Sequence, residues 1–266
     1  MNPAHHRRAV VALVAVVASL GAGCDDPPAQ PLAPTASALA PAAKAATAQK
    51  FTVDPATSQV TFLMDAPEEK IRGVVSKSTT GALEIDPRDL TKTTGVVFVD
   101  ISGLELFQTK TGEDGKPGTE EKVALQNEHA RAWLEIGKDA PEPERAKNAR
   151  VEFAIRTIEK VSQKDVTAVQ GAERKVTLTA TGEVLLHQRK STKTVDLEAT
   201  FTFDGDTPKS VRVKTVKPFA VGLAEHDVRP REAFGKLAQK TLDVLAPKVA
   251  KEAPIELEFT AKLGSP

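Results

Sequence analysis

The sequence predicts an all-β fold of antiparallel strands. From Phe51 onward, short runs of alternating apolar and polar residues are separated by Gly, Pro, Asp and Asn, which is typical of half-buried strands. The alternation is clearest from Val195 to Phe203, where apolar residues fall on one face and Asp, Glu and Thr on the other. No internal repeat at a fixed period is evident, which disfavours propellers and solenoids. Such strands must close into a barrel or pair into a sandwich, because an open sheet leaves its apolar face exposed.

Several segments carry this strand pattern. They are Ser58–Asp65, Ile71–Ser78, Gly81–Asp86, Gly95–Gly103, Arg150–Ile158, Arg174–His187, Lys193–Asp204, Ser210–Val216 and Pro254–Leu263. One or two short helices interrupt them. Glu120–Glu135 suits a helix and a turn before the Pro-rich loop Asp139–Asn148. Glu232–Ala246 has apolar residues near helical spacing and ends at Pro247, and we expect it to pack on the sheet or cover one opening.

The first 24 residues contain a basic, an apolar and a small-residue segment in that order. Arg7 and Arg8 precede the apolar run Ala9–Leu20, and small residues then precede Cys24. This order predicts a lipoprotein signal peptide over residues 1–23 and a fatty-acylated Cys24. The mature chain would then be anchored to a membrane of the cell envelope, facing the periplasm or the exterior. Gly21 stands where such signals usually have Leu, so an ordinary signal-peptidase site nearby is the alternative.

Composition divides the mature chain and limits its chemistry. Residues 24–50 are rich in Pro, Ala, Ser and Thr, which predicts a disordered tether, and residues 51–266 form the predicted domain. With 36 basic and 36 acidic residues there is no global basic field, so we expect no nucleic-acid partner. Cys24 is the single cysteine, which excludes an internal disulfide and a cysteine-rich zinc site.

The candidate polar sites are weak. Neither a nucleophile elbow nor a Gly-rich phosphate loop nor a His-Glu-x-x-His run occurs, so we predict no catalytic residue and no enzyme activity. A His flanked by carboxylates, as in Glu225-His226-Asp227, is suited to metal binding or proton transfer. We interpret it instead as a solvated loop. A metal enzyme built on His129, His187 and His226 is the alternative, and it requires these imidazoles to converge; we predict no metal site.

Five parts of the predicted domain together resemble the YceI-like family of periplasmic and secreted lipid-binding proteins. They are the run from Phe51 to Phe62, the pair Ile71-Arg72-Gly73-Val74 and Gly81–Asp86, the valine-rich Gly95–Gly103, the segment Asn127–Leu134 and the segment Thr179–His187. The resemblance covers Phe51 to Leu263 and weakens after Pro218, where Val221–Val249 is longer than the family's usual ending. It implies an elongated antiparallel β-barrel of about eight strands with a lipocalin-like interior. It further implies a bound isoprenoid chain, such as a quinone tail or polyprenyl lipid, and no enzyme activity.

A barrel of this size either fills its interior with side chains or holds one small ligand. From the residues alone a filled core is the default, whereas the resemblance favours a ligand tunnel. We predict a hydrophobic ligand, an isoprenoid lipid rather than a cofactor, because 4% aromatic content without Tyr suits an aliphatic chain better than a stacking platform. The alternative is a non-enzymatic structural or interaction domain. The predicted lining residues are Phe62, Met64, Leu83, Phe98, Phe153, Ile155, Leu178, Leu197, Phe201, Phe203, Val213 and Phe259.

Overall fold

The computed structural model describes residues 31–66, 69–112, 115–229 and 251–264. The predicted signal peptide, Cys24 and the predicted helix Glu232–Ala246 lie outside these residues. The strands are β1 (Gln49–Ala66), β2 (Glu69–Ser76), β3 (Thr79–Ile85), β4 (Thr94–Asp100), β5 (Glu105–Thr111), β6 (Pro117–Glu121), β7 (Arg150–Glu159), β8 (Glu173–Leu186), β9 (Arg189–Asp204), β10 (Thr207–Thr215), β11 (Phe219–Gly222) and β12 (Glu252–Leu263). The helices are α1 (Ala124–Trp133) and α2 (Glu144–Ala149). Within the described ranges no helix is long and apolar enough to cross a bilayer.

Eight of these strands close into an antiparallel barrel in the order β1-β3-β4-β7-β8-β9-β10-β12. The ring closes because β1 pairs with both β3 and β12, with Phe51 opposite Leu83 on one side and Leu263 on the other. The predicted all-β barrel of about eight strands is therefore confirmed. Within this ring of eight strands both edges of each strand are paired, and an apolar face of each strand is turned inward.

The remaining strands lengthen one end of the barrel. The second half of β1 leaves β3 and pairs with β2, which pairs with β5, which pairs with β6. On the other side β11 pairs with the first residues of β12. All nine predicted strand segments lie largely within strands of the structure, whereas β5, β6 and β11 were not predicted. The predicted helix in Glu120–Glu135 is α1, and α2 begins inside the segment predicted as a loop.

The opposite end of the barrel is closed by side chains. Single-turn 3-10 helices at Leu90–Lys92 and Val166–Ala168 place Leu90 and Val166 against the ends of the strands, and both residues are completely or almost completely buried. Arg174 packs its guanidinium 3.6 Å from the ring centre of Phe203 and donates to the Val166 carbonyl oxygen at 3.1 Å. This closed end is therefore a conventional filled core.

Residues 33–47 form a strap that lies along the outside of the barrel. Thr35 makes a bridge to Arg189 at the start of β9, and Leu39 is 7% exposed in a small cluster with Val96, Ala154 and Leu185. The structure thus differs from the predicted disordered tether over this segment. The strap is ordered by hydrogen bonds to barrel residues more than a hundred positions away, which composition does not reveal.

Candidate functional site

The barrel encloses a cavity of about 960 Å³ above its closed end. This volume is at the upper end of the range for small-molecule sites. Along β12 the lining runs from Phe259 to Ala253, a distance of roughly 20 Å at about 3.3 Å per residue. The interior is therefore not filled by side chains along its whole length, which disfavours the filled-core alternative.

The apolar lining of the cavity comes from the inward positions of the barrel strands. β9 contributes Val195, Leu197, Ala199 and Phe201, at every second position, while the residues between them face outward. Several of those outward residues form ion pairs, such as Glu198 with Lys175 and Lys214. The side-chain alternation of the sequence thus separates an apolar interior from a charged exterior.

Ten of the twelve predicted lining residues border this cavity. They are Phe62, Met64, Leu83, Phe153, Ile155, Leu178, Leu197, Phe201, Val213 and Phe259. They come from seven strands that are distant in sequence, and the barrel brings them together.

The other two predicted residues do not line the cavity. Phe98 points to the outside of β4, where it packs in the Leu39 cluster under the guanidinium of Arg150, 3.8 Å from its ring centre. Its neighbours Val97 and Val99 face the cavity instead. Phe203 has the same orientation as Phe201, with a ring-centre distance of 6.5 Å, but it lies deeper, in the filled closed end.

Near the open end, α1 and β5 contribute lining residues that the sequence pattern did not predict. Trp133, the single tryptophan, and Ala130 reach it from α1, and Leu106 reaches it from β5. Asn127 fixes α1 to β5, since its side-chain amide accepts from the Leu106 N–H at 2.8 Å and donates to the Leu106 carbonyl oxygen at 2.9 Å. The polar residues of α1 obscured its inward face in the sequence.

In the part of the chain that the structure describes, the end opposite the closed one is open; this end, which we call the mouth, carries the polar part of the lining. Glu69, Lys110, Gln126 and His129 border the cavity there. The Glu69 carboxylate accepts hydrogen bonds from the side-chain amides of Gln108 and Gln126. The Glu69 carboxylate and the two amides therefore form one connected, partly buried polar group at the mouth.

His226 is completely buried, so the interpretation of residues 225–227 as a solvated loop is wrong. It lies in a single 3-10 turn after β11, where its Nδ1 bonds the Gly222 carbonyl oxygen at 2.7 Å and its Nε2 bonds Ser191 Oγ at 3.1 Å. Burial lowers the pKa of His226 below its ordinary value of 6.5, against the opposing effects of the Gly222 carbonyl and the Glu225 carboxylate. The ring is neutral at pH 7 and acts as a structural connection.

His187 is joined to the same network. Its Nδ1 lies 3.1 Å from the His226 carbonyl oxygen, and its Nε2 lies 2.9 Å from a carboxylate oxygen of Glu135. Both imidazoles therefore use both ring nitrogens in contacts with protein groups. No cluster of three metal-ligating side chains is found in the described part of the chain.

No family model matches the sequence, and no curated protein matches it either. Among solved structures, the chain is similar to a polyisoprenoid binding domain from Saccharophagus degradans that is implicated in plant cell wall breakdown. The two share 12% sequence identity with a TM-score of 0.49, and the match covers 80% of this chain and 98% of that chain. Burkholderia cenocepacia BcnA is 15% identical with a TM-score of 0.45, over 79% of this chain and 99% of its own. Similarity at this level does not transfer a ligand from either protein to this chain.

Proposed function

We propose that this protein is a membrane-anchored envelope protein whose barrel binds the chain of a long amphiphile, of the polyisoprenoid or quinone type. The observation that carries the proposal is the apolar cavity, which is closed at one end by side chains and, among the described residues, is bordered at the other end by polar groups. Each methylene moved from water into such an interior contributes about 0.8 kcal/mol, so a chain that fills the cavity is bound without any polar contact.

The division of the lining between apolar wall and polar mouth supports an amphiphile over a purely apolar ligand. A chain entering the cavity leaves its head group beside Glu69, Lys110, Gln126 and His129. Polar groups placed at one end of an apolar pocket fix the orientation of the ligand. The proposed activity is binding, carriage or presentation of the lipid, without chemical conversion.

The proposed anchor is an acylated Cys24, supported by the basic, apolar and small-residue segments that precede it. A single acyl chain binds membranes only reversibly, so stable attachment requires the multiple acylation of a lipoprotein cysteine. Expression in a bacterial host with a radiolabelled fatty acid tests this. We expect label in the wild-type protein and none in the Cys24→Ser variant; unlabelled wild type would refute the anchor.

Ligand binding is tested in two ways on the mature chain. Organic extraction followed by mass spectrometry should recover a long-chain lipid from protein purified out of its own envelope. Trp133 then supplies an optical signal for the soluble Cys24→Ser variant, because a quinone bound near an indole quenches its fluorescence. We expect saturable quenching by a prenylated benzoquinone and much weaker quenching by the same quinone without its tail. A lipid-free extract together with unsaturable quenching would refute the proposal.

A further inference from the structure

The strap of residues 33–47 is fixed to the barrel by specific contacts. The Ala33 N–H donates to the Glu225 carbonyl oxygen at 2.8 Å, and Arg189 donates to the Ala33 carbonyl oxygen at 2.9 Å. The Leu39 N–H donates to the Glu152 carboxylate at 2.8 Å, and Arg156 donates to the Ala40 carbonyl oxygen at 2.8 Å.

The centre of this attachment is the buried carboxyl group of Glu152. The Glu152 side chain is 0% exposed, and its second oxygen accepts from Arg150 Nε at 2.6 Å. Leu39 covers this carboxylate while its own side chain packs on Val96, Ala154 and Leu185. A buried carboxylate needs such partners, so displacing the strap would leave Glu152 with one partner fewer. The strap is consequently part of the folded barrel.

The strap has a definite direction. It starts beside Glu225, in the turn that follows β11, and beside the β8–β9 hairpin, which are both at the level of the mouth. It finishes at Thr47, whose hydroxyl donates to Asp86 at 2.5 Å next to the closed end, and the chain then enters β1. The N-terminal side of the chain therefore leaves the barrel at the mouth.

We propose that the strap holds the mouth of the barrel toward the bilayer, so that an amphiphile passes between the membrane and the cavity without crossing bulk water. The inference rests on the proposed anchor at Cys24. Nine residues lead from Cys24 to Ala33, and at about 3.3 to 3.6 Å per residue they span at most roughly 30 Å. Without strap docking, the 25 residues from Cys24 to Gln49 would span up to roughly 90 Å and attach at the closed end, which would permit either orientation.

Exposed apolar side chains at the same end support a membrane as the partner. The large exposed apolar residues of the described chain are Leu32, Leu63, Leu125 and Val216. Leu32 adjoins the start of the strap, Leu63 lies near the end of β1, and Leu125 lies in the first turn of α1 beside the mouth residue Gln126. Three of the four are thus at the mouth end, where contact with a bilayer surface removes them from water.

Energy transfer from two single labels to the membrane tests the orientation. Because acylation occupies the only native cysteine, a cysteine introduced at Thr119, in β6 near the mouth, or at Asp206, in the β9–β10 turn at the closed end, is the only free thiol. Each acylated protein is reconstituted into vesicles of phosphatidylethanolamine and phosphatidylglycerol with a head-group acceptor dye. We expect transfer severalfold more efficient from position 119. Equal transfer, or greater transfer from position 206, overturns the proposal.

A matched pair of strap variants tests whether the docked strap causes the difference in energy transfer between the two labels. Leu39→Asp puts a second carboxylate against Glu152 and should release the strap, which removes the difference between the two labels. Ala38→Asp introduces the same charge at an exposed neighbouring position and should preserve it. Far-UV circular dichroism confirms that the barrel of each variant is folded. A difference that survives in Leu39→Asp overturns the role of the strap.

The outcomes are separable from those of the proposed function. Protein that fails to float with the vesicles contradicts the anchor, whereas unsaturable Trp133 quenching contradicts lipid binding. Floating, quinone-binding protein with equal transfer from both labels contradicts only the orientation.

Discussion

Enlarging the side chain of Ala199 tests whether a ligand chain occupies the deep part of the cavity. Ala199 lies on β9 between Leu197 and Phe201 and borders the cavity, so a larger side chain enters the space that we assign to the lipid tail. Ala199→Phe adds six carbons and Ala199→Leu adds three. At about 0.8 kcal/mol for each displaced methylene, the affinity falls by at most about 5 kcal/mol for Phe and about 2 kcal/mol for Leu.

The tail can shift toward the mouth and recover part of this loss. We therefore expect Ala199→Phe to weaken binding by at least about tenfold, equivalent to about 1.4 kcal/mol, with a smaller effect for Ala199→Leu. The assay is the quenching of Trp133 by a prenylated benzoquinone in the Cys24→Ser background. The matched control is Thr202→Phe on the same strand, which faces outward and should leave the affinity unchanged.

Stability measurements decide how the result is interpreted. Because Ala199 borders open space, the free energy of unfolding in urea should change by less than about 1 kcal/mol; a loss of about 1 to 3 kcal/mol would instead indicate overpacking. A folded Ala199→Phe protein that binds the quinone as tightly as wild type would refute the assignment of the tail to this depth.

Three further predictions concern stability. Because burial lowers the pKa of His226 below 6.5, the unfolded chain binds more protons than the folded chain below that pH. The unfolding free energy should therefore fall as the pH drops below about 6.5, by at most about 1.4 kcal/mol per pH unit from this group. Urea unfolding at several pH values should show that the unfolding free energy of His226→Gln depends less steeply on pH. Gly182→Ala places a Cβ 2.5 Å from the Ala154 carbonyl oxygen and should lose more than about 1 kcal/mol in urea, whereas Gly103→Ala, with open space around it, should lose little. Arg174→Met removes the guanidinium donors to the Val166 and Thr167 carbonyl oxygens and should lower the unfolding free energy by about 2 to 4 kcal/mol. An unchanged affinity of this variant for the quinone would show that the filled end lies outside the ligand site.

The error at Phe98 shows where strand alternation loses its information. In β4, Val96, Val97, Phe98 and Val99 are consecutive apolar residues, so the sequence does not show which parity faces inward. Both faces are apolar because the cavity covers one and the strap covers the other through Leu39. By contrast, β9 has charged and polar residues on its outer face, and the sequence shows which parity faces inward. Leu197 and Phe201 border the cavity, whereas Phe203 shares their face but lies in the filled end.

The strap itself was beyond prediction for a related reason. Its sequence contains one large buried side chain, Leu39, among Pro, Ala, Ser and Thr, and such a composition cannot form a core of its own. The strap is ordered by carboxylate and guanidinium partners on β7 and β9, which are brought together only once the barrel has closed. The same closure generates the cavity, so the two features of greatest functional interest depend on long-range pairing that local patterns do not contain.

The histidines illustrate the same limitation for chemistry. A His between two acidic residues is a candidate for metal binding or proton transfer when only the sequence is known. In the structure the turn after β11 folds the ring inward, and Ser191 from the β8–β9 hairpin meets it at 3.1 Å while the His226 carbonyl oxygen meets His187 at 3.1 Å. The imidazoles thus connect the hairpin to the turn that also receives Ala33 at the start of the strap. If this connection holds the strap in place, His226→Gln should reduce the difference in energy transfer between labels at positions 119 and 206, and an undiminished difference would show that the strap is held by Glu152 and its neighbours alone.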